Sequence, residues 1–221
     1  MTILIPWTDV VETATAHLSS IDPVMAGAIA RVGPCTLAPN PNVFETLVDA
    51  IISQQISVKA ADAIMARLRG AVPGGLITPE ALVQLDADAL RAAGLSPQKT
   101  RYILDLTGRV ASRELELERL SELDDEAVIT ELIAVKGIGR WTAEMILLFS
   151  LGRLDVLPVD DLGFQEGVRE AYGLESRPTR KDLLERGEAW RPYRSIATWY
   201  MWGIRRLSLR IERKRTRIVS L

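Results

Sequence analysis

Two stretches of the chain carry residue types and spacings that could do chemistry. Lys136-Gly137-Ile138-Gly139 separates one apolar helical run from the next. Glycines there can take positive φ and leave backbone N–H groups unshielded, so a phosphate oxygen can approach the start of the second helix. Ile138 would plug the two helices together from inside the turn. The same spacing also serves a plain tight turn between two helices. Further on, Asp155-Val156-Leu157-Pro158-Val159-Asp160-Asp161-Leu162-Gly163-Phe164 sets a stiffened, extended approach before Asp161, at the entrance of a new helix. An aspartate at that position most often caps the first-turn N–H groups, and the positive helix end favours its ionised form. The first stretch offers anion binding and the second a fixed negative charge.

The elements that must hold them are helical. Apolar residues recur at spacings of three and four through most of the 221 residues, and no stretch alternates as a half-buried strand would. Caps and breakers predict helices over about 8–18 and 23–32, an extended segment over 34–41, and helices from Val43 and over about 58–68. Pro73-Gly74-Gly75 breaks the pattern. Thr78-Pro79-Glu80 then opens a helix that stops at Gly94, and Ser96-Pro97 opens another with Ile103, Leu104, Leu106 and Val110 as its apolar stripe. Asp124-Asp125-Glu126 places acids at the next helix start, and late helices run over about 162–172, 179–188 and 193–210. Connections are short and no long period repeats, so the expectation is an all-α fold of two helical lobes flanking one cleft.

Composition removes several classes of function. With 48% hydrophobic and 25% charged residues the chain can bury a core and is a poor candidate for disorder. One cysteine, Cys35, excludes an internal disulfide framework, a four-cysteine zinc site and a four-cysteine iron–sulfur cluster, and a single histidine, His17, removes most zinc chemistry. The longest apolar run, 145–149, is too short to span a bilayer, and the first residues lack the regions of a signal peptide, so a cytoplasmic, reducing location is expected. The formal charge is −2, yet 205–217 holds seven Arg or Lys against Glu212. Only five of the 27 basic residues are Lys, and Arg is the better fork for phosphate, although a solvated helix end accounts for the same run.

The hairpin and the Asp161 stretch, taken with segment 47–58 containing Gln54-Gln55-Ile56 and with Trp190-Arg191-Pro192-Tyr193-Arg194-Ser195, resemble the helix-hairpin-helix DNA glycosylase superfamily. Within it they resemble the alkylpurine branch, of the bacterial 3-methyladenine DNA glycosylase II type. The resemblance spans about 43–202. It implies a monofunctional glycosylase that flips an alkylated purine out of duplex DNA and hydrolyses the N-glycosidic bond, leaving an abasic site. That cleavage builds positive charge on the sugar, which a fixed carboxylate stabilises. The family's aspartate falls on Asp161, with Asp160 as a structural neighbour. Members that also cut the strand carry a lysine two residues past the second glycine; Trp141 stands there, which implies an intact strand.

The resemblance assigns a base pocket to Trp141, Met145, Leu162 and Trp202, with Trp202 stacking on a cationic base. Trp199 and Trp202, three apart on one helix, would equally suit a core. The side chain that fills the gap left by a flipped base falls on Gln55, with Gln54 and Ile56 beside it; both glutamines also suit a helix-end cap. DNA-backbone contacts are expected from Lys136, Gly137, Ile138, Gly139 and Arg194. Carbonyl oxygens of Val135 and Ile138 would hold a structural Na+ or K+, with no cofactor required. The compact members of the branch are the model for the domains, with one lobe over 43–153 containing the hairpin and a second from 1–42 with 154–221 carrying Asp161. The implied partner is double-stranded DNA with alkylated bases, bound by a monomer at the nucleoid of a prokaryote, with no membrane. Two other readings are a non-catalytic hairpin module and an oxidised-base glycosylase; Asp161 argues against the first and Trp141 against the second.

Overall fold

The computed structural model describes residues 6–219, and side chains as far as 211. The first five residues, which enter the signal-peptide reading, and the basic side chains beyond 211 lie outside the described residues.

Among the described residues the regular elements are helices throughout. α1 (Trp7–Ile21) and α2 (Pro23–Val32) pack together and share Asp22, which ends the first and caps the second by accepting from Val24 N–H at 2.9 Å and Met25 N–H at 3.1 Å. An extended segment leads to α3 (Val43–Ser53), capped by Asn42, and α4 (Val58–Ala71), capped by Ser57. The single helix expected over 78–94 is two, α5 (Pro79–Leu82) and α6 (Ala87–Ala92). Asp86 causes the break, because its side chain accepts from Ala89 N–H at 2.8 Å and starts a new helix. α7 (Pro97–Ala111) follows with Ser96 as cap. Its buried face is Thr100, Ile103, Leu106 and Thr107, whereas Leu104, expected in the apolar stripe, points outward. α8 (Asp125–Ile133) and α9 (Arg140–Phe149) flank the hairpin, and α10 (Leu162–Ala171), α11 (Arg180–Ala189) and α12 (Arg194–Val219) complete the chain.

These helices form two compact units, residues 1–38 with 152–221 and residues 39–151. In the first, α12 packs on α10, α2 and α1 around Leu18, Met25, Phe164, Val168, Trp190 and Met201, all fully buried. α10 and α12 approach closely at Gly167, where a Cβ would stand 2.1 Å from the Met201 carbonyl oxygen. The second unit is built around α3, α7 and α9, with Leu47, Ile51, Ile52, Ile103, Leu106 and Leu148 at its centre.

Gly167→Ala must push α12 off α10 and is expected to cost about 1–3 kcal/mol, as overpacked cores do. Gly27→Ala on α2, where nothing lies within 4 Å, should cost nothing. Urea unfolding of both variants is the check, and an unchanged midpoint for Gly167→Ala would refute the tight crossing.

Candidate active site

Asp161 caps α10 in the first unit. Its Oδ1 accepts two hydrogen bonds, from Phe164 N–H at 2.6 Å and from the Trp202 indole N–H at 2.7 Å. The cap and the expected reactive role are thus compatible, since both need an anionic oxygen held at a helix N-terminus. Space beside it is tight, because a Cβ on Gly163 would lie 3.2 Å from that oxygen and 3.3 Å from the Trp202 ring. The approach is pinned as well, with Asp161 N–H on Pro158 O and the Gln165 amide on Val159 O. Leu162, the next residue, is 62% exposed, and Trp202 is partly buried. Asp160 faces elsewhere and pairs with Arg180 at 2.6 Å on the surface.

Behind this loop, 190–195 acts as a clamp. Trp190 is fully buried, edge-on to Phe164, with its indole N–H on Asp22. Ser195 Oγ donates to Arg153 O at 2.6 Å and accepts from Val156 N–H at 3.0 Å, while Ser195 N–H donates to Leu154 O. Arg194, expected on a DNA phosphate, is instead spent on the protein. Its guanidinium forks onto Asp155 at 2.7 and 2.9 Å, also donates to the Asp155 carbonyl, and is only 14% exposed. Arg191 donates to the same carboxylate. Burial acts to raise the Asp22 pKa, yet donors from Tyr172, Met25, Trp190 and Val24 leave it lowered, so the carboxylate joining this clamp to α2 stays ionised.

The hairpin belongs to the second unit. Gly137 takes φ +85°, and a Cβ there would fall 2.2 Å from the Tyr102 ring. Gly139 does not share that requirement: its φ of −100° suits any residue, nothing lies within 4 Å of its Cβ position, and it starts α9 without a side-chain cap. Ile138 and Val135 are buried, as a plug between α8 and α9 should be. The Lys136 N–H donates to Asp105 Oδ2 at 2.9 Å, and its exposed ammonium sits 3.3 Å from Oδ1. Burial pushes Asp105 up, but those bonds and the Arg109 guanidinium outweigh it and hold the carboxyl below its ordinary value.

Of the three wedge candidates, Gln54 is committed elsewhere, its amide donating to Gly137 O at 2.8 Å, and Ile56 is 38% exposed. Gln55 is exposed at the head of the loop with φ +56°, a conformation L side chains rarely adopt. The assigned pocket residues divide between the units: Leu162 and Trp202 adjoin Asp161, whereas Trp141, 48% exposed, and Met145 lie one turn apart on α9. For Na+ or K+, the hairpin carbonyls are the right donor chemistry. Val135 O accepts Ile138 N–H at 3.1 Å and keeps a second lone pair that a cation could use. Among the described residues no group of His, Cys, Asp or Glu forms an alternative metal site, and no helix is long and apolar enough to cross a membrane. Lys99, Tyr102 and Asp105, which support the hairpin and the Gln55 loop, escape sequence reasoning; the signal was their i, i+3, i+6 spacing beside the apolar stripe of α7.

The family model for HhH-GPD superfamily base excision DNA repair proteins matches residues 48–192. The chain belongs to this superfamily. It is 36% identical over 206 residues to DNA-3-methyladenine glycosylase 1 of Schizosaccharomyces pombe, covering 88% of each chain. A solved DNA-3-methyladenine glycosidase from Bacillus halodurans superposes with a TM-score of 0.79 at 40% identity, over 87% of this chain and 88% of that one. The 3-methyladenine DNA glycosylase of S. pombe in complex with abasic DNA gives 0.75 at 36%, over 86% and 95%.

In this HhH-GPD hairpin the two glycines should behave differently. Gly137→Ala should lower the melting temperature, because it combines positive φ with a clash against Tyr102. Gly139→Ala should leave stability intact yet weaken binding to damaged and undamaged duplex alike, since phosphate contacts carry no base information. Melting curves and duplex titrations distinguish them; equal melting temperatures for the two variants would contradict the assignment.

Proposed function

We propose that the protein is a monofunctional DNA glycosylase that flips alkylated purines out of duplex DNA and hydrolyses their N-glycosidic bond. The carrying observation is Asp161, a carboxylate fixed by Phe164 N–H and the Trp202 indole in a chain whose relatives include 3-methyladenine glycosylases. A purine alkylated at a ring nitrogen is cationic and leaves as a neutral base, taking the bonding electrons with it. Positive charge then spreads over the anomeric carbon and ring oxygen of the sugar. Asp161 stabilises that charge without having to reorganise, water adds at the anomeric carbon with loss of a proton, and an abasic site results.

Trp202 has two tasks in this scheme. Its ring edge orients Asp161, and a ring face stacks on the cationic base, with exposed Leu162 adding apolar contact. Trp141 and Met145 offer a second apolar surface of the kind a purine stacks on. Trp141 stands where strand-cutting members place lysine, and Lys136 is paired with Asp105, which supports release without a Schiff base. The open start of α9 at Gly139 would take a backbone phosphate, and Val135 and Ile138 carbonyls would hold a monovalent cation that adds positive charge there. Gln55, exposed in its rare conformation, would fill the gap left by the flipped base. The protein would act as a monomer wherever the chromosome lies, in a prokaryote the cytoplasm.

Wild-type protein should release free methylated purine from dimethyl-sulfate-treated duplex and leave the strand intact until alkali is added. Asp161→Asn should slow release by about 10²–10³ with duplex affinity retained, by analogy with loss of one electrostatic stabiliser. Asp160→Asn should be mild, as that side chain only meets Arg180 at the surface. An inactive Asp160→Asn beside an active Asp161→Asn would overturn the assignment.

Trp202→Phe keeps an aromatic face but removes the bond to Asp161. Hydrogen bonds to charged groups contribute about 1.5–3 kcal/mol, so single-turnover release should fall roughly 10- to 100-fold. Release of all methylated bases at wild-type rates would show that the indole N–H does not orient the carboxylate.

A further inference from the structure

Three residues on one face of α7 touch both the loop after α3 and the hairpin of the second unit. Lys99 Nζ donates to Ile52 O at 2.6 Å and Gln54 O at 2.7 Å, at the C-terminal end of α3. Tyr102 lays its ring against Gly137, and Gln98 holds the Tyr102 hydroxyl. Asp105 accepts the Lys136 N–H on the other side of the same glycine. Gln54 closes the circuit by donating its amide to Gly137 O. The adjoining face of α7, through Thr100, Ile103, Leu106 and Thr107, is buried in the core of the unit, so all these contacts hang from a fixed element.

We propose that Lys99 is a positioning residue for base release, acting through Gln55 by clamping the loop that carries it to α7 and the hairpin. The inference rests on the reading of the chain as a base-flipping glycosylase. Gln55 follows directly on the carbonyl that Lys99 holds, and Ile56 N–H returns to Ser53 O at 3.5 Å on its other side. A side chain with φ +56° keeps that conformation only where its surroundings impose it, and here both neighbouring peptide groups are tied down. Partial burial lowers the Lys99 pKa, and its amine is held there by the two carbonyls. A stacked, paired base resists extrusion, and a loop free to yield would give way under that load. A base already unpaired resists less and has less need of a rigid loop.

The test compares release from one dimethyl-sulfate-treated, pyrimidine-rich oligonucleotide annealed either to its full complement or to a complement mismatched opposite its few purines. Lys99→Met should lower the ratio of paired to mismatched release by about tenfold, within the few kcal/mol that unstacking costs. Gln55→Ala should lower it similarly, and the double variant no further than either alone, because both act through one wedge. Equal slowing on the two duplexes, or multiplicative effects in the double variant, would overturn the proposal. Should Lys99→Met fail to fold by circular dichroism, Gln54→Met, which removes only the amide bond to Gly137, must give the same selective loss, and a uniform loss overturns the proposal. A wild type that releases base from neither duplex overturns the glycosylase reading and this inference with it. Wild-type release with an unaltered ratio in Lys99→Met overturns the inference alone.

Discussion

The backbone contact between α10 and α12 governs the first unit. Gly167 has no side chain, and the Met201 carbonyl occupies the volume where one would stand. From that crossing the next residue on α12, Trp202, reaches the N-cap of α10 and donates to Asp161. A wider crossing would withdraw the indole from the carboxylate. From the opposite side Ser195 and Arg194 hold 153–156, so the loop before Asp161 is tied at both ends. A charge fixed this way need not be reorganised when positive charge appears nearby, which is where electrostatic catalysis has its advantage over water.

The second unit solves a different problem with the same economy of parts. The proposed contact of the hairpin with DNA calls for a turn that keeps its shape against a polyanion. Ile138 packs inside it, the Tyr102 ring fills the space that Gly137 leaves, and Asp105 takes the Lys136 N–H. The Lys136 end of its ion pair with Asp105 is exposed, so that pair contributes little by itself; the backbone bond to the same carboxylate orders the turn. Gln54 extends the arrangement to the loop after α3.

Much of this was legible in the sequence because it is local. Asp161 follows Pro158 and precedes an amphipathic helix, a cap signal that the structure bears out, and the hairpin announces itself through paired glycines between helical runs. Readings that depended on distant partners fared worse. Arg194 has the chemistry of a phosphate ligand, but Asp155, which consumes it, lies 39 residues away. Gln54 and Gln55 are alike in type, and the approach of Gly137 from 83 residues away engages the first of them. Gly139 resembles Gly137 in sequence and differs in φ, since one faces Tyr102 and the other opens onto the start of a helix. Lys99, Tyr102 and Asp105 stayed hidden because attention to an apolar stripe passes over the polar stripe beside it.

The role proposed for Asp161 is electrostatic, the stabilisation of positive charge at the sugar. The most direct measurement is the affinity for two duplexes that each carry an abasic-site analogue, one a cationic pyrrolidine and the other an uncharged tetrahydrofuran. The wild type should prefer the cation by about 10²-fold or more, as expected for a mimic of the transition state, and Asp161→Asn should lose that preference while still binding the neutral analogue. Equal affinity of the wild type for both duplexes, or a preference that survives in Asp161→Asn, would contradict the account.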